Sequence, residues 1–469
     1  MIKKLLFIIL FNIIIIIISS CRQTDNNHLK EYVHDRDPAF RYEIIDTLHT
    51  ETWKEYHIKM VSGTWLTEKE VNHTEWWHWV TIVVPNNVIE TEALLFIGGG
   101  SSKDTEPKKA SELLVNAALE TNSIIAEISN IPFQPLNYIH DSKDDRYEDD
   151  LIAYGWNKFL ENGAKDNDVE WLARLPMTRA VVRGMDIIQE VTSDINIKVD
   201  EFVVAGASKR GWTTWTTAIV DNRVIAIVPI VIDLLNVIPS FDHHWRCYGE
   251  WSPAIDDYVN EGITDWMGSE EYNRLLELVE PFYFTDQLSI PKFLINATGD
   301  EFFVTDSWKF YWDKLIGSKY LQYVPNGNHG LTGTYNPGSL IAFYNAIITN
   351  SKIPEFNWHV SNDSIYLEIN TIYNYTVKSW EAINKDTRDF RVPIIGRSWK
   401  SHQINKTLNH KYFLHVNQPK TGYKAGLLEI TIDTGGNYPF VFTTGTLVSP
   451  NTYPFMPFKP TNPKGKRIK

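Results

Sequence analysis

Three residues far apart in the chain are of the types that nucleophilic acyl transfer requires. Ser208 lies in "FVVAGASKRGWTTW", Asp300 in "FLINATGDEFF" and His329 in "LQYVPNGNHG". A serine hydroxyl is a weak nucleophile near neutral pH. A histidine must take its proton, and a carboxylate must hold that imidazole in the right tautomer and offset its positive charge. Each of the three follows a short apolar run ending in small or turn-forming residues, and they occur in the order Ser, Asp, His. Each also has a plainer role open to it. Ser208 could cap a helix, His329 could sit in a surface turn, and Glu301 or Asp306 could replace Asp300 as the acid. The strand–small residue–Ser–helix context favours the nucleophile, and Asp300 lies nearest the end of its strand.

Charge that develops on a carbonyl oxygen needs backbone N–H donors aimed at it. The candidates are Lys209, directly after Ser208, and Gly99 and Gly100 in "ALLFIGGG", where glycine permits close approach of the backbone. The turn at Ser208 departs from the usual G-x-S-x-G pattern. Gly206 is in place, but Arg210 occupies the second small position and glycine is delayed to 211. An arginine pointing outward there would be tolerated, and it could serve the substrate. Lys209 and Arg210 are candidate substrate-binding residues, with solvated surface charge as the plainer reading. His243 and His244 in "FDHHW" have no second ligand pair at a fixed spacing, so no metal is expected. The chemistry of the three residues calls for no cofactor. "HTEWWHW" at 73–79 reads as alternating strand packing.

The elements that must position these residues follow from apolar runs and turn signals. "WWHWVTIVVP", "ALLFIGGG", "SIIAEIS", "EFVVAGAS", "VIAIVPIVI", "PKFLINATGD" and "KYLQYVPNGNHG" are strand-like, with helical stretches at 107–120, 149–162 and 176–191, the last opening on Pro176. Continuous apolar strands alternating with helices imply a mostly parallel sheet covered on both faces, with function gathered at the carboxyl ends of its strands. With the Ser, Asp, His order this gives an α/β class and an α/β-hydrolase fold over about 40–350. The rhythm lapses at about 233–290, an aromatic-rich stretch that reads as an inserted cap. From 351 to 469, short strands separated by Asn, Asp, Gly and Lys turns predict a C-terminal β-sandwich-like module.

The N-terminus carries targeting chemistry. Lys3 and Lys4 precede an apolar run from Leu5 to Ile18, then "SSCRQ". That run is short of the ~20 residues of a membrane span. Residues 1–20 therefore read as a signal peptide, Cys21 as a lipidated first residue of a bacterial lipoprotein facing the periplasm or cell surface, and 21–39 as a polar tether. The mature chain would be membrane-anchored. Its remaining cysteine, Cys247, has no intramolecular partner once Cys21 is lipidated. The formal net charge of −13 sets nucleic acid aside as a partner, because an acidic surface gains nothing from counterion release. The basic end "KGKRIK" reads as a frayed terminus. Seventeen tryptophans in 469 residues point to large packed cores or a sugar- or peptide-binding wall.

"ARLPMTRAVVRGMDIIQE", "FVVAGASKRGWTTWTTAIVDNRVIAIVPIVID", "IPKFLINATGDEFF" and "KYLQYVPNGNHG" resemble the PhoPQ-activated pathogenicity-related protein family, as does "SGTWLTEKEVNHTEWWHWVTIVVP" nearer the start. The resemblance runs from about 40 to 350. It implies the α/β-hydrolase clan, with Ser208, Asp300 and His329 at the expected triad positions, and it implies no substrate. The turn is also similar to that of glucuronoyl esterases, where a basic residue follows the serine and glycine comes three positions on, matched here by Lys209 and Gly211. The expected function is a secreted or membrane-anchored serine hydrolase acting on a small-molecule, glycan-ester or peptide substrate. The alternative is a catalytically silent binding or signalling protein of the same fold.

Overall fold

The computed structural model describes residues 27–468. The expected signal peptide, Cys21 and the tether up to residue 26 lie outside the described residues.

The apolar runs pair into one sheet. Its strands are β1 (Arg41–His49), β2 (Trp53–Thr64), β3 (Glu75–Pro85), β4 (Glu92–Ile97), β5 (Ile124–Ile128), β6 (Glu201–Ala207), β7 (Val224–Ile230), β8 (Lys292–Ala297) and β9 (Lys319–Val324). Their spatial order is β1-β2-β3-β5-β4-β6-β7-β8-β9. The β1–β2, β2–β3 and β3–β5 pairs are antiparallel, and every pair from β5 to β9 is parallel. Parallel strands need covered crossovers. Helices Arg174–Asp194 and Lys209–Val220 pack on one face of the sheet, and helices Glu112–Thr121 and Gly338–Ile348 on the other. This is an α/β-hydrolase fold. The first of the helices expected from sequence begins later, at Glu112, because the Ser111 hydroxyl accepts the Leu114 N–H and caps it there. Pro176 lies inside the first turn of its helix, where its missing N–H costs nothing.

Between β7 and β8 the chain leaves the sheet and builds the cap, chiefly from helices Val237–Tyr248 and Glu270–Val279. After residue 351 it forms two antiparallel sheets. One contains β10 (Glu355–Ser361), β11 (Ser364–Asn370) and β14 (Lys411–His415). The other contains β12 (Asn374–Asn384), β13 (Lys400–Ile404), β15 (Tyr423–Asp433), β16 (Phe440–Thr443) and β17 (Leu447–Ser449). These sheets share a core with the hydrolase domain. Phe442 packs against Phe293 and Tyr320, and the Thr443 hydroxyl accepts the Tyr323 N–H at 2.8 Å. Trp308 lies on Gly445, where any side chain would collide with the indole.

The frayed terminus expected at "KGKRIK" is not what the structure has. Lys464 N donates to Asp265 O at 2.9 Å, Glu270 N to Lys466 O at 2.9 Å, and Ile468 N to Gly268 O at 3.1 Å. Lys466 Nζ also pairs with Glu270. Upstream, Phe458 packs on Trp245 and Trp251 of the cap. The tail is ordered because it meets acceptors and acidic groups on the cap, a partner far away in sequence.

Candidate active site

Strand β6 runs directly into helix Lys209–Val220, and Ser208 is the one residue between them. It adopts φ 57° and ψ −124°, a conformation that costs a non-glycine residue ~1–3 kcal/mol and persists only where the surroundings impose it. Ser208 N donates to Ile230 O of β7 at 2.7 Å. A Cβ on Gly206 would lie 2.7 Å from Arg210 O, and one on Gly211 would lie 2.8 Å from Ile232 Cγ2. The crowding between strand and helix thus falls at 206 and 211. At position 210 only the backbone takes part in it, so the turn closes with an arginine side chain there.

The Ser208 hydroxyl caps no amide of the helix it precedes. Its Oγ lies 2.9 Å from His329 Nε2. His329 Nδ1 in turn lies 2.9 Å from both carboxylate oxygens of Asp300. Asp300 is buried, and its Oδ1 also accepts the Phe302 N–H at 2.7 Å, so the carboxylate cannot swing away. The Phe302 ring lies against the imidazole, with centroids 4.1 Å apart. The two rival acids have other occupations. Glu301 Oε2 accepts the backbone N–H of His329 at 2.7 Å, and Asp306 is paired with Arg388, His243 and Lys309.

The glycine loop follows β4, the hydrogen-bonded neighbour of β6, with Ile97 opposite Gly206. Gly98 N is committed to Ile128 O at 2.7 Å. The amides of Gly99, Gly100 and Lys209 have no acceptor among the described residues. Gly100 has φ 131°, which requires glycine.

Lys209 and Arg210 are neither outward-pointing nor solvated. Their side chains are 8% and 13% exposed. Lys209 Nζ lies 2.8 Å from Glu148 Oε2 and 2.9 Å from Asp149 Oδ2. Arg210 Nε donates to Ile131 O at 2.6 Å, and Nη2 pairs with Glu148 Oε1. The guanidinium lies so close to Gly99 that a Cβ there would sit 3.0 Å from Nη2. Gln134 completes the assembly by donating to Glu148 Oε1 at 2.8 Å and Gly100 O at 2.7 Å. Burial pushes the Glu148 carboxyl up, but Lys209 and Arg210 outweigh it and bring it down to about 2. Glu148 therefore ties the serine turn to the glycine loop. Its part is hidden in sequence, where "DDRYEDD" reads only as an acidic helix start.

Ser208 opens into a small cavity roofed by the cap. Lys209 lines it beside Ser208, whereas Arg210 does not. His243 is buried in the network behind the cap. Its Nε2 lies 2.8 Å from Asp306 Oδ1 and its Nδ1 2.9 Å from the Tyr453 hydroxyl. His244 Nε2 accepts the Ser252 N–H at 3.1 Å. Burial pushes the two imidazoles down to about 4 and about 3, so both are neutral near pH 7. Among the described residues no cluster of three or more His, Cys, Asp or Glu is arranged to hold a metal ion. His78 of "HTEWWHW" is a packed strand residue, bonded to the Ser62 hydroxyl at 2.9 Å and to Asn130 O at 3.1 Å.

The model of the PhoPQ-activated pathogenicity-related protein family matches residues 29–391. Autocrine proliferation repressor protein A of Dictyostelium discoideum is 35% identical over 481 aligned residues, covering 97% of this chain and 95% of that protein. Among solved structures, an acetyl xylan esterase from Paenibacillus sp. R4 superposes with a TM-score of 0.48 at 12% identity, covering 71% of this chain and 96% of its own. A glucuronoyl esterase from Solibacter usitatus does so with a TM-score of 0.40 at 11% identity, covering 70% and 93%.

Proposed function

Because the chain belongs to the PhoPQ-activated pathogenicity-related protein family, and because Ser208, His329 and Asp300 stand in one hydrogen-bonded line, we propose that it is a serine hydrolase cleaving an ester or peptide carbonyl. That line is the observation that carries the reading. Ser208 Oγ attacks the carbonyl carbon as its proton passes to His329 Nε2. Asp300 accepts the Nδ1–H and stabilises the imidazolium. The amides of Lys209, Gly99 and Gly100 receive the oxyanion. His329 then returns the proton to the leaving alcohol or amine as its bond to the carbonyl carbon breaks. Water, deprotonated by the same imidazole, releases the acyl group and restores the serine. A panel of ester, amide and peptide substrates run with wild type and Ser208→Ala tests this. Turnover by the wild type that falls to background in Ser208→Ala supports it, and equal turnover by both contradicts it.

Glu148 is expected to act through position rather than by touching substrate. Glu148→Gln keeps the shape but removes the charge that gathers Lys209 and Arg210. A displacement of the glycine loop by about 1 Å would lower kcat by up to ~100-fold, with KM moving much less. Steady-state kinetics on the best ester of the panel measures this split.

The same reading takes residues 1–20 as an export signal and Cys21 as a lipid-bearing N-terminus, supported by the Lys3-Lys4 start, the apolar run and "SSC". The mass of the mature N-terminal peptide tests it. A diacylglyceryl-type addition on Cys21 is expected, and an unprocessed Met1 or unmodified Cys21 contradicts it.

The second reading, a binding or signalling protein on a silent hydrolase scaffold, draws on the relative described as an autocrine proliferation repressor. It predicts that Ser208→Ala retains the full biological effect of the purified protein on the growth of its source cells. Loss of that effect with the triad serine removes it.

A further inference from the structure

The cavity beside Ser208 says more about the substrate than the triad does. Its walls are aromatic and aliphatic: Trp212 and Ile232 from the sheet side, Leu234 at the start of the cap, Phe241 and Met267 from the cap itself, and Phe302 next to the triad acid. Apart from tyrosine hydroxyls and the indole nitrogens of two tryptophans, the polar side chains that line it among the described residues come from Asp149, Arg174, Ser208, Lys209 and Thr264. Lys209 and Asp149 are engaged with each other, whereas Arg174 is held by a backbone carbonyl and an indole face, with no partner for its Nε among the described residues. Lys209 is paired with Asp149 and Glu148, and Asp149 Oδ1 accepts the Tyr258 hydroxyl at 2.9 Å. Arg174 Nη1 donates to Lys209 O at 2.8 Å, and its guanidinium lies 4.6 Å from the centre of the Trp212 ring. Seating a charged substrate group against Lys209 or Asp149 would break their pair in a desolvated site.

Size points the same way. The open space is small and lined mainly by apolar side chains, which suits a short hydrocarbon chain. Val231 keeps it so. Its φ of 44° is rare for a β-branched residue and turns the chain at the end of β7. Ile232 is thereby set between Gly211 and the cavity.

Resting on the serine-hydrolase reading, we infer that the cavity binds the acyl part of the substrate, and that this acyl group is uncharged, apolar and longer than acetyl. Ser208 would carry it as the acyl-enzyme while the alcohol, of whatever size, leaves toward solvent. Burying each added methylene in such a pocket raises kcat/KM by about fourfold until the space is filled.

The test uses p-nitrophenyl acetate, butyrate, hexanoate and hemisuccinate with the full mature chain, alongside labelling by a fluorophosphonate probe. Butyrate or hexanoate is expected to exceed acetate by at least ~10-fold in kcat/KM, with hemisuccinate far below butyrate. In Leu234→Trp, which fills the cavity, the hexanoate-to-acetate ratio should fall severalfold. Leu234→Ala should move it the other way, or at least not lower it, and so guards against a general loss of folding. Probe labelling with acetate or hemisuccinate as the best substrate overturns the acyl assignment alone, and preference for hemisuccinate would direct attention to Arg174. Absence of both labelling and turnover overturns the hydrolase reading and the assignment together.

Discussion

Asp300→Asn should lower kcat by about 10⁴-fold while leaving KM and the melting temperature nearly unchanged. Both oxygens of Asp300 lie 2.9 Å from His329 Nδ1, so they hold the proton on that nitrogen and leave Nε2 free to take the serine proton. The asparagine amide can present N–H to Nδ1, which favours the wrong tautomer. The fold is spared because the remaining carbonyl oxygen can still accept the Phe302 N–H. Glu301→Gln is the control. Glu301 grips the backbone N–H of His329 and not its ring, so a neutral acceptor of the same shape should cost far less. Steady-state kinetics on the two variants, with thermal melts, checks both statements. A Glu301→Gln loss as large as that of Asp300→Asn would mean the acid is misassigned.

The second large effect is on stability. Asp306→Asn should destabilise the protein by about 3–5 kcal/mol. Asp306 is buried and bridges three parts of the chain. Arg388 Nη2 from the C-terminal region lies 2.7 Å away, His243 of the cap 2.8 Å away, and Lys309 2.7 Å away. Arg388 is itself buried and also reaches Cys247 Sγ at 2.9 Å. Removing the carboxylate strands the guanidinium in a dry site. Replacing both partners, as Asp306→Leu with Arg388→Met, should recover much of the loss, because the cost lies in the unpaired charge. Denaturant unfolding of the three proteins measures this. The pair also has a pH signature. Burial would raise the Asp306 carboxyl, but Arg388, Lys309 and His243 outweigh it and hold it well below the usual carboxylate range. Its stabilisation is therefore fully present above the unfolded value of ~3.9 and is lost as pH falls through the lower folded value.

Asp306 also marks the boundary of what sequence reveals. Ser208, Asp300 and His329 are legible because each lies on the turn that follows an apolar strand, and parallel strands deliver their carboxyl ends to one edge of the sheet. The seven strands β3 to β9 are legible for the same reason, since their buried runs carry their own signal. Arg210 is not. Its partners, Glu148 and the Ile131 carbonyl, come from a segment whose local pattern says only loop and helix start. The doubt raised by an arginine two residues after the serine dissolves only when Gly211 is seen taking the close contact instead. The terminal "KGKRIK" misleads in the same way. A short basic run looks solvated until the cap supplies Asp265, Glu270 and the backbone of Gly268. Each miss is a long-range pairing between residues that are individually ordinary, and such pairings leave no periodicity behind.

The central claim is that Ser208 is a nucleophile raised to reactivity by His329. The most direct test is to treat the folded mature protein with a fluorophosphonate, digest it, and map the adduct by mass spectrometry. The account predicts one adduct on the peptide containing "GASKRGW", at Ser208, absent in Ser208→Ala and strongly slowed in His329→Ala. Folded protein that stays unmodified, or that carries the adduct on another residue, would contradict it.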